Sequence, residues 1–130
     1  MAYDPQRLFA NLTEKERLFG HHSAEGRAIR TLSRALQGWS TESLSARDML
    51  VMCDQAIEDW LKARLNVSAW SATGVGRLLA LAQAEKLLTA EESAWLRRLH
   101  DLRVGSALPA ADEVAAALAA ALEVIERRWS

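Results

Sequence analysis

The chain is poor in the residues that build many familiar sites. It contains one cysteine, three histidines, two prolines and six glycines in 130 residues. The single cysteine, Cys53, excludes an intramolecular disulfide and a thiolate metal cluster, and three histidines argue against a multi-histidine metal cage. No Walker loop, GxGxxG, HExxH or GxSxG motif occurs. Motif matching therefore names no reaction, and we expect no cofactor and no bound metal.

A strong charge of one sign and a long apolar run are also missing. The 16 basic and 17 acidic side chains give a net charge of −1, which argues against a surface built wholly for nucleic acid. The longest wholly apolar run, Val114 to Leu122, is far shorter than the roughly 20 residues of a membrane span. Asp4 and Pro5 stand where a signal peptide would be basic and then apolar. We therefore expect no membrane span, no secretion and a cytoplasmic location.

Helix-forming residues dominate what is present. Alanine (24 copies) and leucine (20 copies) supply about a third of the chain, and both favour helices. Apolar residues recur at helical spacing, which predicts an all-α fold, a single domain over 1–130 built as a four- to five-helix up-and-down bundle. The predicted helices cover about 23–39, 44–65, 75–88, 89–104 and 109–129. The second should be central, and the first should pack on a core formed by about 44–129.

Local signals mark the ends of these helices. Ser23 is a candidate N-cap for the first helix, and Thr89 with Glu92 forms a capping box for the fourth. Gly105 can supply a left-handed residue where the fourth helix ends, and Pro109 suits the first turn of the last.

Most polar candidates have a structural interpretation that outweighs a functional one. His21 and His22 fall in a predicted loop or helix entry without further ligands nearby. Three acids of the second helix suggest a solvated face more than a divalent-ion site, and Glu58 with Lys62 forms an i,i+4 surface pair; the acids are Asp54, Glu58 and Asp59. Cys53 lies on the apolar face of that helix and should be a buried, inert thiol.

The five tryptophans follow the same logic. Four of them extend apolar helical stripes and are predicted as core or interface residues: Trp39, Trp60, Trp95 and Trp129. Trp70 falls in a turn-rich break instead. We expect it to cover the end of the bundle, the alternative being contact with a partner.

The segment around 96–103 carries the most suggestive chemistry. His100 and Arg103 are three residues apart and share a helix side, so a base and a cation could project together, with Asp101 adjacent. The residues alone favour a plainer interpretation, a polar helix face whose arginines complement the helix dipole.

The order of elements around "LLTAEESAWLRRLHDLR" resembles the HEPN superfamily of small helical bundles. Several prokaryotic HEPN-like branches are similar from "GVGRLLALAQAEKLLTAEES" onward, and the resemblance covers about Met49 to Trp129. In members with ribonuclease activity, an arginine followed four to six residues later by a histidine cleaves RNA without metal at a dimer cleft. The arginine would correspond to Arg103. No histidine follows it, and Val104 replaces the polar residue usual after the arginine.

The resemblance thus implies a degenerate, non-catalytic HEPN-like homodimer that binds a partner protein, RNA or a nucleotide. The candidate binding residues are Arg103, His100, Arg97 and Arg98. The alternative is a metal-independent ribonuclease of a toxin–antitoxin or defence system, with Arg103 and His100 as catalytic residues. RNA or nucleotide binding without cleavage could also use a basic ridge on the first helix, formed by Arg27, Arg30 and Arg34.

Overall fold

A computed structural model describes residues 24–68, 70–105 and 110–127, together with the separate positions 7, 10, 14 and 17. These residues form five α-helices and no strand, which confirms the all-α bundle; the helices are α1 (Ala24–Ser40), α2 (Ala46–Arg64), α3 (Val75–Ala84), α4 (Ala90–Val104) and α5 (Ala111–Arg127). The predictions for His21, His22, Ser23, Pro109 and Trp129 fall outside the described residues.

Helix α2 is the centre of the bundle, as its wide apolar face predicts. It packs against α1, α3, α4 and α5, and the remaining main contacts are those of α4 with α3 and α5. Trp60 is the bulkiest of its fully buried side chains. One hydrophobic cluster joins all five helices, so the described part of the chain shares a single core.

Helices α1 and α2 form an antiparallel pair with ties at both ends. At one end, Trp60 Nε1 donates to Glu25 Oε1 at 3.3 Å, and Arg64 Nη1 lies 3.2 Å from the same oxygen. At the other end, Leu44 N donates to the carbonyl of Gly38 at 2.9 Å. A Cβ built on Gly38 would lie 2.5 Å from Leu44 Cδ1. The missing side chain therefore lets the connection pass close to α1.

The capping box at the start of α4 is confirmed. Glu92 N donates to Thr89 Oγ1 at 3.1 Å, and Thr89 N donates to Glu92 Oε1 at 2.9 Å. The end of α5 meets this region, because the Arg127 guanidinium lies 5.1 Å from the ring centroid of Trp95. Helices α4 and α5 are therefore antiparallel neighbours.

Two predicted helix ends differ from the structure. Helix α3 ends at Ala84, four residues before the predicted end, because Lys86 adopts a left-handed φ of 61° and the amides of Leu87 and Leu88 turn back to the carbonyl of Ala82. Gly105 has φ −66° and ψ 151°, so the prediction of a left-handed residue there was wrong. Helix α4 ends by passing directly into extended backbone.

Candidate functional site

Asp54 lies in the buried face of α2, at the contact with α4. Its side chain is 3% exposed, so the interpretation of this residue as part of a solvated acidic face was wrong. The reason is tertiary, because a helix that packs against four others buries an arc wider than its apolar stripe. A buried carboxylate needs a charged or hydrogen-bonding partner.

Two side chains of α4 supply those partners. Arg103 Nη1 donates to Asp54 Oδ2 at 2.8 Å. His100 Nδ1 lies 3.0 Å from Oδ2 and 3.1 Å from Oδ1. The prediction that His100 and Arg103 project together is confirmed. Their acidic partner is Asp54 on another helix, whereas the adjacent Asp101 is exposed.

The arrangement determines which groups remain for a ligand. An ionised carboxylate only accepts hydrogen bonds, so the Nδ1 that faces Asp54 is assigned the hydrogen, and Nε2 of His100 is the nitrogen left for other partners. The His100 side chain is 23% exposed and that of Arg103 39%. The site therefore consists of a buried carboxylate beneath two partly open side chains, which we call the Asp54 cluster.

Its chemistry can be proton transfer or anion binding. A carboxylate that fixes an imidazole through Nδ1 orients Nε2 as a base, as in hydrolases that use an Asp–His pair. The remaining N–H groups of Arg103 can donate to an oxyanion. Among the described residues, no group of three or more His, Cys, Asp or Glu side chains is placed to hold a metal ion.

The other two arginines proposed for the site differ in position. Arg97 is exposed one turn before His100 on the same side of α4. Its Nη2 lies 3.8 Å from the position of a Cβ built on Gly76, so its guanidinium reaches the start of α3. Arg98 is also exposed, but lies about 160° around the helix from His100. Arg97 therefore lies on the His100 side of α4 but reaches toward α3, and Arg98 lies on a different side of the helix.

Cys53, next to Asp54, is fully buried, as predicted. Its Sγ lies 3.5 Å from Met49 Sδ. Burial raises the pKa of the Cys53 thiol far above its usual range, and the negative charge of Asp54 raises it further. The thiol therefore remains protonated, which disfavours a role as nucleophile.

Lys62 is buried, so the prediction that it lies on the surface was wrong. The predicted pair with Glu58 forms at 3.4 Å, but the Lys62 side chain is only 6% exposed. Its Nζ also donates to the carbonyl of Ser71 at 2.8 Å. Lys62 thus fixes the connection between α2 and α3.

Three of the four tryptophans predicted as core or interface residues lie in the described part of the chain and contact the core, as predicted. Trp60 is buried, and Trp39 and Trp95 are half-buried against the core. Trp70, in contrast, is 96% exposed, so the prediction that it covers the end of the bundle was wrong.

The basic ridge of α1 lies beside a shallow groove. Arg27 and Arg34 are exposed and Arg30 is half-buried. A cavity of about 180 Å³ between α1 and α2 is lined by Arg27, Thr31, Asp59 and Trp60, together with three alanines. Asp59 brings negative charge to this groove, so the ridge is not uniformly basic.

Comparison of the chain with protein-family models, with curated proteins and with solved structures finds no match. The HEPN resemblance therefore rests on the helix order and the motif residues alone. Within the described ranges, no helix combines the length and apolarity needed to cross a bilayer.

Proposed function

We propose that the chain is a non-catalytic, HEPN-like binding module that works as a homodimer and binds its ligand over the Asp54 cluster. The observation that carries this proposal is the 2.8 Å contact between Arg103 and Asp54. The positive charge of Arg103 is already compensated by a buried carboxylate. It is therefore less able to stabilise the extra negative charge that builds up on phosphate during RNA cleavage.

The contact between Arg103 and Asp54 also favours binding of a ligand. Both Arg103 and His100 are held by one fixed carboxylate, so a ligand does not have to order them on binding. The groups left for a ligand, the other N–H groups of Arg103 and the acceptor Nε2 of His100, belong to partly exposed side chains. The chain contains no histidine after Arg103, so the pairing that ribonucleases of the HEPN type use is incomplete.

A metal-free cleavage assay on a mixed single-stranded RNA pool tests the absence of catalysis. It compares the wild type with Arg103→Ala and with Arg98→Ala, a matched control on the same helix. We expect no cleavage by any of the three. Cleavage by the wild type that Arg103→Ala abolishes and Arg98→Ala retains would establish an enzyme and overturn the proposal.

The homodimer draws support from two apolar side chains beside the Asp54 cluster. Val51 lies three residues before Asp54 and is 41% exposed, and Val104 lies four residues after His100 and is 61% exposed. Sedimentation equilibrium should give twice the chain mass of 14.4 kDa. Val104→Asp should shift the protein to monomer, whereas Leu81→Asp on α3 should not. A wild-type monomer at all concentrations would rule the dimer out.

A metal-independent ribonuclease of a toxin–antitoxin or defence system is the second candidate. The Asp54–His100 hydrogen bond favours it, because it leaves Nε2 of a well-oriented imidazole for proton transfer. In that case Asp54→Asn would lower the cleavage rate sharply, and His100→Ala would abolish it while the bundle stays folded. RNA left intact by the wild type would dismiss this candidate.

A further inference from the structure

The connection between α2 and α3, residues 65–74, presents an isolated aromatic side chain to solvent. Trp70 at its tip is 96% exposed. A tryptophan buries 150–250 Å² in an ordinary core or interface, so leaving one in water forgoes a large stabilisation. Tryptophan is enriched at interfaces, where another molecule covers its ring.

The loop that carries Trp70 is held in place by hydrogen bonds on both sides. Trp70 N donates to Ser68 Oγ at 3.2 Å, and Thr73 N donates to Ser71 Oγ at 3.2 Å. Ser71 N donates to the carbonyl of Ser68 at 3.0 Å, and the Ser71 carbonyl accepts from Lys62 at 2.8 Å. Burying a lysine to anchor a surface loop is costly. The result is a tryptophan displayed in a preset position.

Two arginines lie close to the end of this loop. Arg77 follows Gly76 in α3, and Arg97 of α4 reaches the same glycine. Both are exposed, and neither forms an ion pair with any residue in the described part of the chain. The first turn of α3 contains no acid. Arg77 and Arg97 therefore bring two positive charges to this corner, and the exposed Asp101 lies one turn further along α4.

The aromatic and the cations lie within the reach of one short strand. Trp70 and Arg77 are seven residues apart, so even a fully extended chain would place their Cα atoms no more than about 25 Å apart. On α4, His100 lies about 60° and Arg103 about 120° around the helix from Arg97. An aromatic platform followed by unpaired guanidinium groups is the combination that binds single-stranded nucleic acid, through base stacking and phosphate contacts.

We propose that Trp70 stacks on a base of a single-stranded nucleic acid whose phosphates contact Arg77 and Arg97. This proposal deepens the proposed function and rests on it, since it gives the binding module its ligand class. It adds a subsite on the loop between α2 and α3 that is separate from the Asp54 cluster.

Fluorescence anisotropy with the full chain tests the subsite. The probes are labelled oligouridine and oligothymidine of about twelve nucleotides, within the site sizes of single-strand binding modules. Trp70→Ala should weaken binding of both by about 10-fold or more, since stacking contributes about 1–3 kcal/mol per base. Trp70→Phe, which keeps an aromatic face, should recover most of the affinity.

Replacing the arginines should change the salt dependence of binding as well as the affinity. Arg77→Ala with Arg97→Ala should lower the affinity and reduce the slope of log K against log salt by about 1.4, which corresponds to two phosphates at about 0.7 each. Arg47→Ala, an exposed arginine at the opposite end of α2 from this loop, is the matched control and should leave both quantities unchanged.

Three results would overturn the subsite. The first is that Trp70→Ala binds with wild-type affinity while His100→Ala and Arg103→Ala bind weakly. The Asp54 cluster would then be the binding site. The second is loss of affinity in Trp70→Ala with an unchanged salt slope in the double arginine variant, which would indicate an apolar ligand instead. The third is that the wild type shows no binding at about 100 μM, the weak limit of non-specific binding. In that case the proposed function is still tested separately by the dimer and cleavage measurements.

Discussion

Asp54 and His100 are 46 residues apart in the chain and meet across the contact between α2 and α4, with Nδ1 3.0 Å from Oδ2. The same carboxylate oxygen accepts from Arg103. A single buried group therefore links two side chains of α4 to the central helix. Substitutions at the three positions must influence one another, because residues that share a partner are energetically coupled.

That coupling can be measured by urea unfolding. His100→Ala and Arg103→Ala should each lower the free energy of unfolding by about 1–3 kcal/mol, because each removes a hydrogen bond to a buried charge. In an Asp54→Ala background the same two substitutions should cost less than about 0.5 kcal/mol. Arg98→Ala is the control and should have little effect in either background. Equal costs with and without Asp54 would show that the contacts do not contribute.

Glu25 should stabilise the pairing of α1 with α2. Glu25→Ala leaves the buried indole N–H of Trp60 without its acceptor and should cost about 1–3 kcal/mol in the free energy of unfolding. Glu25→Gln retains an acceptor oxygen and should cost less. Glu85→Ala, at an exposed position, should be close to neutral. Equal unfolding midpoints for Glu25→Ala and Glu85→Ala would contradict the role assigned to Glu25.

Cys53 should make the stability depend on pH in the alkaline range. Because burial raises the thiol pKa in the folded state, the folded protein keeps a proton that the unfolded chain releases above about pH 8.5. The free energy of unfolding should therefore fall as pH rises beyond that value, by up to about 1.4 kcal/mol per pH unit.

Urea unfolding of the wild type and of Cys53→Ala between pH 7 and pH 10 isolates this contribution. The difference between the two proteins should be constant below about pH 8 and should shift against the wild type at higher pH. Parallel curves over the whole range would mean that the thiol titrates equally in both states. Native Cys53 should also resist alkylation until the protein is unfolded.

The capping box should set the stability of α4. Thr89→Ala removes the oxygen that accepts from Glu92 N and should cost about 1 kcal/mol, whereas Thr89→Ser retains it and should cost far less. Thr31→Ala, at a position within α1, controls for loss of a threonine elsewhere. An unfolding midpoint for Thr89→Ala equal to that of Thr89→Ser would show that the cap contributes nothing.

The helices could be predicted from the sequence because their signals are local. Thr89 and Glu92 define a helix start through four consecutive residues, and apolar spacing alone identifies α2 as central. The end of α3 was missed because it depends on a left-handed Lys86, a conformation that composition does not favour. Gly105 shows the reverse, a glycine whose conformational freedom is not used.

Only the α4 side of the candidate site could be predicted from the sequence. The spacing of His100 and Arg103 placed them on one side of α4, but nothing local identified Asp54 as their partner. A signal was present, since Leu50, Asp54, Ile57 and Leu61 follow the four–three–four spacing of a core stripe, and a carboxylate at such a position requires a partner. The exposure of Trp70 had no comparable signal, because it depends on how Lys62 anchors the loop.

The central position of α2 also has a consequence for how the bundle opens. Every other described helix packs against α2. If α2 moves out of the bundle, the remaining helices therefore lose the core that they share with it. The described part of the chain should then unfold in a single cooperative transition. Amide hydrogens in the middle of α2 should exchange with solvent only through that global event, which makes them the slowest reporters of the stability of the whole fold.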